Sequence, residues 1–138
     1  VNFNYIKVNL IIAIILISGC DNLGRISKVA DVKKNPDRSI GKQIFFDSCI
    51  KSDRHGTSLY DCADPTELLS VEISEKVQKS KKGRALTESG YRQWTPENNV
   101  EIKVKVSGGV VDRRSQGGGI VFIINNIESF NVAKGNGI

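Results

Sequence analysis

Three cysteines, a single histidine and scattered arginines and lysines are the side chains of this 138-residue chain that could react or hold a ligand. Cys49 and Cys62 flank His55 in the stretch FFDSCIKSDRHGTSLYDCA. Such a trio admits three chemistries: a cystine, a metal site, or a thiol activated by imidazole. Zinc sites draw on close-spaced ligand pairs, which one histidine between two distant cysteines does not supply. An activated thiol needs a positioned base, and His55 falls in DRHG, a stretch with turn composition. The geometry fits the cystine. With His55-Gly56 as the two central residues of a tight hairpin, Cys49 and Cys62 lie directly opposite, alpha carbons about 4.5 to 5.5 Å apart and within reach of a disulfide. Asp47 and Asp61 would be neighbours on the same two strands, but two carboxylates without a pocket do not make an acid–base pair. No catalytic residue, metal set or cofactor motif emerges. The chain reads as a binder and not an enzyme.

The third cysteine ends a different kind of stretch, LIIAIILISGCDN. Lys7 is the one charge in the first 19 residues, and the apolar run from Val8 to Ile17 is far short of the roughly 20 residues that cross a bilayer as a helix. That pattern fits a signal peptide over residues 1–19. A core strand ending in a buried cysteine is the competing reading. Ile17-Ser18-Gly19-Cys20 resembles the lipobox of bacterial lipoproteins, an aliphatic residue and two small ones before cysteine. The resemblance implies cleavage after Gly19, diacylglycerol on the Cys20 sulfur and a further fatty chain, of the palmitate kind, on the new amino terminus. Several chains make a lasting membrane anchor where one would not. The resemblance also implies a periplasm-facing envelope protein, and Asp21 resembles an inner-membrane retention signal. In such an oxidising space an even pair, Cys49 and Cys62, reads as a disulfide.

The elements that must position these residues are mostly strands. Residues 20–41 are polar, contain Asn35-Pro36 and read as a lipidated tether, long enough to hold a domain on the order of 25 Å from the lipid. From residue 42 onward the pattern is β. Strands are expected over 42–50 and 57–63. A short strand over about 68–74 precedes a helix within 75–93, although Asp64, Pro65 and Glu67 would also suit a helix start. Val100, Ile102, Val104 and Val106 alternate with Glu101, Lys103 and Lys105, a half-buried strand. GIVFIINNIESF is a continuous apolar strand, and DRRSQGGG joins the two as a hairpin with a mobile tip. The expected fold is therefore mainly β, a small α+β domain over 42–138. Its element order resembles the OB-fold, a five-stranded barrel with one helix between strands 3 and 4.

That resemblance implies a ligand face flanked by two loops. Here they would bring Lys51, Arg54 and His55 together with Arg113 and Arg114 as one basic mouth for carboxylate, sulfate or phosphate. Aromatics are sparse, leaving Tyr60, Tyr91 and Trp94 as candidates for a stacking surface, and GYRQW as a clamp closing one end of the barrel. The formal net charge of +5 becomes +4 once Lys7 is removed, which favours anionic partners, headgroups or an acidic protein patch. Nucleic acid is not expected outside the cytoplasm. The expectation is a lipid-anchored binding module for a protein or anionic ligand. The alternatives are an immunity or entry-exclusion lipoprotein and a structural part of an envelope complex.

Overall fold

A computed structural model describes residues 25–95 and 100–135; the apolar opening segment, the lipobox and Cys20 lie outside the described residues. Along the chain come β1 (Ile26–Ser27), α1 (Val29–Lys34), a 3-10 turn (Pro36–Arg38), β2 (Gln43–Asp53), β3 (Gly56–Asp61) and β4 (Asp64–Ile73). Then follow α2 (Glu75–Gln78), α3 (Lys81–Arg92), β5 (Val100–Asp112) and β6 (Ile120–Lys134). All six strands belong to one sheet, in the order β1-β2-β3-β4-β6-β5, and β2 also pairs with β5, so the pairing closes on itself. The mainly β architecture is as expected, and it is compatible with a small, uneven barrel.

Period-two patterning makes the interior. Ile44, Phe46, Ser48 and Ile50 of β2 are buried, as are Ile102, Val104 and Val106 of β5, while Lys103 and Lys105 between them are exposed. Phe122 and Ile124 of β6 complete the centre. Among the described residues no helix is long and apolar enough to cross a membrane.

Two expectations change. Five strands become six, because β1 runs parallel to β2 beside Phe45 and Phe46, whereas β3 pairs with β2 only from Cys49 onward. The supposed tether is packed structure from Ile26: Val29 and Val32 of α1 are buried in the core, and Lys33 pairs with Glu67 of β4 at 3.0 Å. Local sequence does not start this helix, since Lys28 offers no side-chain cap. The Asp61 carboxylate, from the end of β3, accepts the Val29 and Ala30 amides at 2.9 and 3.2 Å and satisfies donors that a helix leaves open.

The pairing directions define two ends. β2, β4 and β6 start, and β3 and β5 finish, at the end carrying α1 and the 3-10 turn, where Ile40 bridges to Val110. Helices α2 and α3 occupy the opposite end. There Lys82 donates to the carbonyls of Ile127 and Glu128 at 3.3 and 2.7 Å. Ser80 caps α3 by accepting the Gly83 amide, and Gly83 is required because a Cβ would meet the Val77 carbonyl oxygen at 1.8 Å.

Candidate functional site

Cys49 and Cys62 form a disulfide, with alpha carbons 5.1 Å apart. The register differs from the one expected. Asp53 pairs with Gly56 and Cys49 with Tyr60, so Arg54 and His55, not His55 and Gly56, are central to the turn. Asp53 accepts the His55 amide at 2.7 Å, and Gly56 follows with φ at +133°, a conformation other residues rarely adopt. Cys62 reaches Cys49 from beyond the end of β3, where an irregularity after Leu59 and the turn from Asp61 to Asp64 bring the chain back.

The basic mouth is not assembled. β2 and β5 pair antiparallel from Gln43 and Gly109 to Ile50 and Ile102, so Lys51, Arg54 and His55 lie at the α3 end. Arg113 and Arg114 follow the far end of β5, on the other hairpin. Each group also has local partners. Arg54 donates to His55 at 3.1 Å, and Arg113 holds both carboxylate oxygens of Glu72. Arg114 donates to Asp112 at 2.9 and 2.7 Å and to Asp37 at 3.3 Å. The hydrogen bonds from the Arg114 side chain and amide push the Asp112 carboxyl down from 3.8 to about 2.

A carboxyl lowered in the fold contributes stability that is complete above its unfolded value and fades as pH falls toward the folded one. Asp112 should therefore titrate near pH 2 by carboxyl-resolved NMR, and Arg114→Gln should return it toward 3.8 and flatten acid sensitivity between those values. Unchanged titration in Arg114→Gln would show that the pair is not maintained in solution.

What the fold does build is a cleft at the α3 end, about 650 Å³ in volume. Ile50 of β2, Val71 and Ile73 of β4 and Leu86 of α3 give it apolar lining, and Asp53, Gly56 and Thr57 border it from the β2–β3 turn. Arg84, Thr87 and Glu88 contribute polar groups from α3. Tyr91 and Trp94 also line it and pack edge to face with ring centroids 5.4 Å apart, yet they stay 59% and 50% exposed. Two aromatic rings half in water beside an apolar hollow are a feature of recognition surfaces more than of closed cores. Arg54 and His55 sit on the neighbouring turn without lining the hollow. Tyr60, the third aromatic candidate, pairs across the ladder with Cys49; burial, then the Glu101 carboxylate, raise its phenol above the ordinary value.

Helix α3 buries Gly83, Leu86 and Gly90, and it approaches the sheet closely at Gly90, where a Cβ would stand 2.8 Å from the Ser52 hydroxyl. Just past the helix, Gln93 does what no sequence signal announced. Its side-chain oxygen accepts the Ser52 amide at 2.8 Å, and its nitrogen donates to the carbonyls of Ile50 and Val100 at 3.1 and 3.0 Å. The ladder between β2 and β5 ends at Ile50 and Ile102, so this amide takes the place of a further strand partner. Among the described residues no group of three or more His, Cys, Asp or Glu side chains could hold a metal ion. No protein-family model, curated protein or solved structure matches the chain.

Proposed function

We propose that this chain is a bacterial envelope lipoprotein, held to the membrane by fatty chains on Cys20, whose small barrel binds a partner protein in the cleft beside Tyr91 and Trp94. The exposed aromatic pair on an apolar hollow carries the reading, because aromatic anchors in desolvated pockets dominate protein recognition. Support for export comes from the Cys49–Cys62 disulfide, which persists in oxidising compartments. The pairing order supports an OB-type barrel: a β2-β3-β4 meander, β4 parallel to β6, and β5 joining β6 to β2. The role is binding and not catalysis, since the sole histidine sits in an exposed turn and both barrel cysteines are bonded to each other.

The partner captured from envelope extract by the wild-type protein tests the site. Trp94→Ala should weaken that capture by about 30-fold, the effect of an interface anchor worth about 2 kcal/mol. Arg113→Glu with Arg114→Glu should leave it within about twofold. Capture that survives Trp94→Ala and Tyr91→Ala but is abolished by the charge reversals would return the site to the basic loops. The mass of the mature protein from membranes checks the anchor: acylated Cys20 at the amino terminus is expected, and an intact amino terminus overturns it.

A further inference from the structure

Positive charge is unevenly distributed along the chain. Residues 25–42 carry six basic and two acidic side chains, whereas residues 43–138 carry thirteen basic and twelve acidic. In the fold this segment is β1, α1 and the 3-10 turn, packed at the barrel end opposite the cleft. Its cations are largely uncommitted. Lys33 pairs with Glu67, but Arg25, Lys28, Lys34, Arg38 and Lys42 are exposed and make no ion pair among the described residues. Of the two acids, Asp37 is already taken by Arg114. Ile26 and Ile40 stand among these cations 61% and 38% exposed, aliphatic side chains that a solvated surface does not require.

We infer that the α1 end of the barrel rests on an anionic phospholipid bilayer, with Arg25, Lys28, Lys34, Arg38 and Lys42 among the headgroups and the cleft directed away from the membrane. The inference rests on the reading that Cys20 is acylated, and chain length then does most of the orienting. Packed structure begins at Ile26, so six alpha-carbon steps separate it from Cys20, at most about 20 Å. Screening at physiological salt extends about 8 Å, and a short link keeps the cationic end within reach of the surface potential where a 20-residue tether would not. The occupant is a lipid surface because the patch combines cations with aliphatic side chains and follows Cys20 by only a few residues in the chain.

Amine footprinting of the mature protein in vesicles tests this. The protein is reconstituted into phosphatidylcholine vesicles with or without 30% phosphatidylglycerol, treated with a membrane-impermeant acylating reagent, and mapped by mass spectrometry. Lys28, Lys34 and Lys42 should label roughly fivefold more slowly in the anionic vesicles, with Lys79 and Lys103 unchanged, and 0.5 M salt should erase the difference. Lys34→Glu with Arg38→Glu, both at exposed positions, should also erase it. Flotation with the neutral vesicles reports on the anchor separately. Flotation without a footprint keeps the anchor and overturns the orientation. If the protein does not float with neutral vesicles, the anchor falls. The orientation then stands only if the protein floats with anionic vesicles and shows the same footprint, and falls otherwise.

Discussion

Phe122→Ala should lower the stability of the barrel by about 4 kcal/mol, seen as a fall in the urea midpoint at nearly constant slope. Phe122 is fully buried, and β6 places it between Val71 of β4 and Val110 of β5, both themselves buried. From across the interior Phe46 of β2 meets it edge to face, ring centroids 4.8 Å apart and planes at 89°. One ring therefore joins four strands, and truncation leaves a void that strands fixed by their ladders cannot collapse to fill. Domains of this size have about 5 to 15 kcal/mol in total, so the variant is expected near the limit of folding at 37 °C. Phe122→Leu, which retains most of the volume, should cost about 1.5 kcal/mol or less. Equal losses for the two variants would mean that the aromatic pair is not the centre of the packing.

The second large effect is expected from Cys49→Ser with Cys62→Ser. A cross-link 13 residues apart restricts the unfolded chain by about 3 kcal/mol, which translates into a fall of about 10 to 20 °C in Tm. Reductant should produce the same fall in the wild-type protein and none in the double variant. A local consequence follows from position. Cys62 adjoins Asp61, whose carboxylate holds the first amides of α1, so the variant should also speed hydrogen exchange at Val29 and Ala30. If the melting point fell while those two amides kept their protection, the anchoring of α1 would be independent of the cystine.

Periodicity made the strands legible, because alternation reports which face is buried and needs no knowledge of partners. Val100 to Val106 and the apolar run after Gly119 were readable for that reason; a helix was expected within 75–93, where α3 lies, but its start at Lys81 and its Ser80 cap were not. The cystine pairing was also readable, but its register was not. Gly56 looked like the middle of the turn when it is the residue that leaves it, and the irregularity after Leu59 that returns Cys62 to Cys49 has no mark in the local sequence. The segment before Gln43 was misread for a physical reason. Its helix buries only two side chains, Val29 and Val32, and takes its cap from Asp61, 32 residues beyond Val29. The cleft was hidden in a similar way. GYRQW pointed to an aromatic group at one barrel end, but the hollow exists because α3, the β2–β3 turn and β4 converge there, and composition does not encode convergence. Element order named two basic hairpin tips without stating that antiparallel pairing of β2 and β5 separates them.

The three hydrogen bonds of Gln93 fix the end of α3 to β2 and β5, so one wall of the cleft stands in place before anything binds. If the cleft takes the partner proposed above, association needs no slow rearrangement of the backbone, and little of the free energy gained on contact would go into ordering the host. Competing guests would then reach the cleft at similar rates and be told apart by how long each one stays.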